Sequence, residues 1–213
     1  MNKSCFPPLI RNVTAVLVAA ACVAGLSGCM KLGGKPLDQR YYNIEAARPN
    51  EPGEPVTDKT LRVRRVHVSP RYDGREIVYN FGGGRYEADF YNQFFIQPAD
   101  MLTQNLREWM EASHIYAHAV DPSSLAASDH ILEGIVNSLY GDDSSGAPKA
   151  VVEMQFYLLD GASGGRTILF SRSYREEVPL ESNSAAALVQ GMDAGVADIY
   201  GKLEADLRVA LAK

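Results

Sequence analysis

All three cysteines of this 213-residue chain, Cys5, Cys22 and Cys29, fall within its first 29 residues. Whatever folds behind Cys29 must hold together without disulfides, without a thiolate zinc site and without a cysteine nucleophile. Its stability has to come from a hydrophobic core. The chain behind Cys29 is long enough for one, since ~150 residues already bury about 70% of the surface their unfolded chain exposes. With 46% hydrophobic and 22% charged residues, the composition is that of a globular protein.

The front of the chain accounts for the cysteine placement. A basic start with Lys3 and Arg11 leads into an apolar stretch from about Val13 to Gly25 and then to Leu26-Ser27-Gly28-Cys29. That order is the one a secretory signal has. The stretch falls short of the ~20 apolar residues a membrane-spanning helix needs. Leu26, Ser27, Gly28 and Cys29 resemble the bacterial lipobox. The resemblance implies a signal peptide over residues 1–28, cleavage before Cys29, a thioether-linked diacylglyceryl group on its thiol and an acyl chain on its new amino group. Several acyl chains give stable anchoring, each buried CH₂ contributing ~0.8 kcal/mol. Aspartate after the cysteine favours inner-membrane retention in enteric bacteria; Met30 stands there instead, so the periplasmic face of the outer membrane is the expected location. No cofactor beyond these covalent lipids is expected.

Removing residues 1–28 takes Lys3 and Arg11 from the 21 basic residues and nothing from the 26 acidic ones, so the formal net charge moves from −5 to −7. A surface of that sign repels phosphate backbones, which argues against nucleic acid as a partner, and offers no polybasic membrane patch.

Residues 29–59 carry Gly33, Gly34, Pro36, Pro49, Pro52, Gly53 and Pro55, a density that predicts a tether. Tyr41 to Ile44 interrupts it with a strand-like piece able to dock as an edge strand. A single domain is expected over 60–213. Leu61 to Ser69 alternates, with a shift of apolar phase between Val63 and Val66 that a bulge or two-sided burial explains. Pro70 and Asp73-Gly74 supply a turn, and Glu76 to Asn80 reads as the return strand of a hairpin. Pro98 opens a helix whose Met101, Leu102, Leu106, Trp109 and Met110 recur at helical spacing. His130 to Tyr140, Ala150 to Asp160 and Thr167 to Val178 predict an antiparallel meander. In its middle strand Val152, Met154, Phe156 and Leu158 face one way and Glu153, Gln155 and Tyr157 the other. A closing amphipathic helix from about Ser184 to Leu211 buries Leu188, Met192, Val196, Ile199, Leu203 and Leu207 and leaves Asp193, Asp198, Lys202, Glu204 and Asp206 elsewhere. Its Gly191, Gly195 and Gly201 cost it about 1 kcal/mol each unless they permit close packing. The elements predict a two-layer α+β domain, a mainly antiparallel sheet with two helices packed on one face.

Candidate chemistry is sparse. His114 and His118 stand four apart, as helical metal ligands would, but no zincin glutamate accompanies them and Ser113 ends the helix. Gly82-Gly83-Gly84 and the glycines around Ser163 match neither a phosphate loop nor a nucleophile elbow. Asp142 and Asp143 read as solvated loop acids. The aromatic run Tyr86, Phe90, Tyr91, Phe94 and Phe95 reads first as core and second as a surface for acyl chains or a partner strand. No catalytic or metal-binding constellation stands out.

Taken in order, these segments resemble the auxiliary lipoproteins of ABC-type transport systems, the PqiC-like family found with MCE-domain proteins. The resemblance rests on Tyr41-Tyr42-Asn43-Ile44 behind the lipidated cysteine, Leu61-Arg62-Val63, Ile77-Val78-Tyr79 and Phe90-Tyr91-Asn92-Gln93-Phe94. Pro98 at the helix start, Leu132-Glu133-Gly134-Ile135 and the closing helix complete it. Phe94 is a departure, because a tryptophan is expected ahead of the proline. The resemblance implies a non-catalytic part in moving lipids between inner and outer membranes, with an MCE-domain protein as partner; a homo-oligomer is also open. An outer-membrane assembly lipoprotein that docks a β-barrel or another envelope complex would share the same plan. A periplasmic hydrolase would need a clustered nucleophile and base, which the sequence does not present.

Overall fold

A computed structural model of the protein describes residues 38–49 and 55–212. The packed unit starts at Gln39. Nine strands and two helices are found among the described residues, so the α+β expectation holds, with a sheet that is mixed.

The sheet is organised around β7 (His130–Asp142). On one side it pairs antiparallel with β8 (Lys149–Asp160), which pairs antiparallel with β9 (Ile168–Pro179), giving the expected meander. Along its other edge three short strands lie end to end, all parallel to it: β2 (Thr60–Val63), β3 (His67–Val68) and β4 (Glu76–Asn80). β6 (His118–Val120) continues the sheet beyond β2. β5 (Tyr86–Phe94) continues it antiparallel beyond β4, and β1 (Arg40–Tyr42) closes that end, parallel to β5. The long ladders are antiparallel and the parallel ones span two or three residue pairs each.

Two local expectations change. β3 and β4 do not form a hairpin. The turn after Ser69 is real, with Tyr72 N–H donating to the Ser69 carbonyl, but β3 is two residues long and the chain steps along β7 instead of folding back. The hairpin is β4–β5, closed over Gly82, Gly83 and Gly84, all at positive φ where a Cβ would strain the backbone. The second change is the extent of the docked chain: the strand-like piece at Tyr41 adds to β5 as an edge strand, as expected, and residues 43–48 lie on the domain as well. The apolar phase shift between Val63 and Val66 marks the break between β2 and β3. Val66 N–H leaves the ladder for the Thr103 hydroxyl, and Leu61, Val63, Val66 and Val68 are all buried.

Both helices cover one face. α1 (Pro98–Ala112) buries Met101, Leu102, Leu106, Trp109 and Met110 over β2, β3 and β6. α2 (Ala185–Leu211) starts at Ser184, whose side chain accepts from Ala187 N–H, and lies over β8 and β9. Trp109 and Tyr200 meet edge to face at 5.6 Å between the helices, and Tyr200 rests on Phe156 of β8. Gly191 is what lets α2 sit so low, since a Cβ there would come within 2.5 Å of Leu180 Cδ2 and 2.9 Å of Ala150 Cβ. On the face without helices, Glu153 takes an ion pair from Arg175 at 2.7 Å, and Lys149 reaches Glu177 at 2.5 Å. Half-exposed pairs of this kind contribute at most about 1 kcal/mol each.

Candidate functional site

The segment ahead of the domain core, residues 39–48, is a strap, and four sets of contacts hold it. β1 adds to β5 by main-chain pairing of Arg40, Tyr41 and Tyr42 with Asn92, Gln93 and Phe94. The Asn105 side chain of α1 then takes the place of a neighbouring strand, donating to the Ile44 carbonyl and accepting from Ala46 N–H, both at 3.0 Å. Ile44 itself is fully buried. Glu45 N–H donates to Asp193 Oδ1 of α2 at 2.9 Å. Burial lifts the Asp193 carboxyl to about 6, the Glu45 N–H only partly opposing it.

At the end of the strap, Arg48 meets Glu204 in a bidentate pair, Nε to Oε2 at 3.0 Å and Nη2 to Oε1 at 2.9 Å. Their side chains retain 8% and 10% exposure, so the pair is largely removed from water. Trp109 Nε1 also donates to Glu204 at 3.0 Å and Arg208 approaches at 3.3 Å. Burial alone would raise the Glu204 carboxyl, but Arg48, with Trp109 and Arg208 behind it, outweighs this and holds it below the ordinary glutamate value. Glu204, expected on the polar side of the closing helix, is thus a buried member of the cluster. The periodicity carries one trace of it: Glu204 stands four residues after the buried Tyr200, on the same flank of the helix.

The aromatic run divides. Phe94 is core, 2% exposed. Tyr86 lies at the far end of β5, edge to face with Tyr140 and under the Arg71 guanidinium. Phe90, Tyr91 and Phe95 are 53%, 54% and 62% exposed, so the core reading fails for them. The reason is an irregularity in the β4–β5 ladder, where Glu76 pairs with Gln93 but Ile77 with Asp89. Residues 90–92 bulge outward, and Asp89 Oδ1 accepts from Tyr91 and Asn92 N–H to fix the bulge. Tyr41 stands edge to face with Phe95 at 6.3 Å, and Ile96 follows, so the exposed rings line the edge where the strap enters. A groove of about 670 Å³ opens beside Phe90 and Tyr91, and a second of about 540 Å³ beside Phe95 and Ile96.

The remaining candidates are held in structural roles. His114 sits in the turn after α1 at positive φ, and His118 begins β6, so they do not share a helix face. His130 packs between the Tyr116 hydroxyl at 2.9 Å and Lys59 Nζ at 3.3 Å, and burial together with Lys59 lowers its pKa. Asp142 accepts from Ser144 N–H and faces Lys149, Asp143 accepts from Asn183, and Ser163 donates to the Asp160 carbonyl. Among the described residues no group of three metal-ligating side chains converges, and no helix is long and apolar enough to cross a membrane. Leu26, Ser27, Gly28 and Cys29 lie outside the described residues.

The family described as ABC-type transport auxiliary lipoprotein component matches residues 42–203. The chain belongs to that family. The match takes in most of the strap and nearly all of the sheet and helices, and it makes this a lipoprotein associated with an ABC transport system in the cell envelope. Solved structures share the fold. The protein XCC0632 from Xanthomonas campestris superimposes with a TM-score of 0.72 at 18% identity, over 80% of this chain and 95% of that one. An uncharacterized protein gives 0.64 at 15% identity, over 79% and 98%. A hypothetical protein from Chlamydia trachomatis gives 0.52 at 6% identity, over 73% and 98%. No relative among curated proteins matches the chain.

Proposed function

We propose that this auxiliary lipoprotein is lipidated on Cys29, faces the periplasm from the outer membrane, and serves without catalysis in an MCE-type ABC system that moves lipids between the two membranes. The observation that carries the reading is the family match over residues 42–203, with twelve residues between its start and the lipobox-like Leu26-Ser27-Gly28-Cys29. A short anchored chain clamped onto a folded domain suits a docking part, because membrane attachment raises the local concentration near a partner without adding contacts. The family's description as an auxiliary transport component supports a non-catalytic role.

The test is in-cell crosslinking of the full-length protein expressed with its native neighbours, followed by membrane fractionation and mass spectrometry. Recovery of an MCE-domain protein from the outer-membrane fraction is the expected result. Recovery of barrel-assembly components in its place would transfer the chain to envelope assembly.

A further inference from the structure

We propose that the edge formed by β1 and the β5 bulge is the face that rests on the bilayer, with Tyr41, Phe90, Tyr91, Phe95 and Ile96 in the headgroup boundary. The assignment rests on the lipidation of Cys29 adopted above.

The tether, even fully extended, is no longer than the domain is wide. Ten residues lie between Cys29 and Arg40. Fully extended they span at most about 40 Å, and a compact unit the size of residues 39–213 is itself about 40 Å across. A slack tether therefore lets surfaces beside β1 rest on the membrane, and only an extended one holds them off it. The other end of the sheet, at β6, reaches it only if the tether wraps fully extended around the domain. The clamped strap removes further slack, since chain beyond Gln39 is fixed to the domain by β1, Asn105, Asp193 and the Arg48–Glu204 pair.

The chemistry of this edge fits a bilayer boundary. Four of the five residues are aromatic, each 47% to 62% exposed. Tyrosine and other amphipathic rings favour the headgroup level, where the apolar body is covered and the polar tip stays wet. The ring of Tyr41 carries the Arg75 guanidinium 5.2 Å from its centroid, and the Tyr41 hydroxyl donates to Gln39. The charged groups beside it are of both signs, Arg40 with Glu87 and Asp89 at the groove and Arg75 over Tyr41, with no cluster of basic residues. Apolar insertion rather than attraction to anionic lipid has to hold it. Left uncovered in water, apolar residues along a strand edge would invite pairing with another chain.

The test places a tryptophan at the edge of the full-length lipidated protein. Phe90→Trp, Phe95→Trp and, as control, Leu125→Trp at the β6 end are each incorporated into vesicles of phosphatidylethanolamine and phosphatidylglycerol containing brominated phosphatidylcholine. The parent protein supplies the background from its buried Trp109. Circular dichroism verifies that each variant is folded. The expected result is a blue-shifted emission at positions 90 and 95, with roughly half of the added signal quenched, as for a ring ~5–10 Å into the boundary. Position 125 stays red and unquenched. Protein that floats with the vesicles while the indoles introduced at positions 90 and 95 emit red-shifted and unquenched would overturn the docking face alone. A blue shift without quenching would put a second copy or another protein on the edge and would equally overturn the membrane assignment. Protein that fails to float, and lacks acyl mass on Cys29, would overturn the lipidation reading and the docking face with it.

Discussion

Replacing Glu204 should release the strap and weaken the whole domain. In Glu204→Leu the Arg48 guanidinium, 8% exposed as a side chain, loses both charge-assisted hydrogen bonds, and Trp109 Nε1 loses its acceptor. Removing one partner of a buried pair costs about 3–5 kcal/mol. Here the pair keeps a margin of solvent contact, so about 2–3 kcal/mol is expected, less than a fully buried pair would lose. With a urea slope of about 2 kcal/mol/M, the unfolding midpoint should fall by roughly 1 M. Arg48→Met alone should cost a similar amount, whereas the double variant should lose about 2 kcal/mol less than the sum, since it removes both charges of the pair together. Glu204→Gln provides the pH arm. Its folded carboxyl lies below the ordinary value, so the charge contributes fully above ~4.3, the unfolded glutamate pKa, and is lost as pH falls through the lower folded value. Parent and Gln midpoints should converge there. Additive single substitutions, or a Glu204→Leu midpoint within about 0.2 M of the parent, would refute the clamp.

The other predictions separate packing from exposure. Asp193→Asn keeps the acceptor for Glu45 N–H and removes a carboxyl whose pKa burial raises to about 6. It should stabilise at pH 7 by about 1 kcal/mol, after discounting for solvent screening, with the gain fading between pH 6 and pH 4 in urea titrations. Gly191→Ala should lower stability by about 1–3 kcal/mol despite better helix propensity, because Leu180 and Ala150 leave no room for a Cβ; thermal unfolding measures it. Phe94→Ala should cost about 3–5 kcal/mol, while Phe90→Ser and Phe95→Ser stay within about 0.5 kcal/mol of the parent in the same assay.

What could be read in advance was whatever repeats over a few residues. The β8 alternation and the stripes of α1 and α2 were legible because each reports a periodic local geometry. Which strands pair was less so. β2, β3 and β4 share one edge of β7 in parallel, and no turn signal encodes a step along a neighbour rather than a fold back onto oneself. The strap was legible only at Tyr41 to Ile44, which reads as an edge strand; its later contacts were not, since proline and glycine flank it and its partners lie far away in sequence. Arg48 and Glu204 are 156 residues apart, and only the fold brings them together. The aromatic run reads first as core, which holds for Phe94 and not for Phe90, Tyr91 and Phe95. Its exposure depends on the bulge after Asp89, which alternation alone does not foresee.

Lipid transfer in a reconstituted system tests the central claim most directly. Donor vesicles would hold the permease, ATPase and MCE protein of the proposed system, and acceptor vesicles the lipidated protein itself. ATP-dependent exchange of a fluorescent phospholipid between the two populations should fall several-fold when the chain is omitted or carries Cys29→Ala. Equal rates with and without it would contradict a part for this lipoprotein in lipid transport.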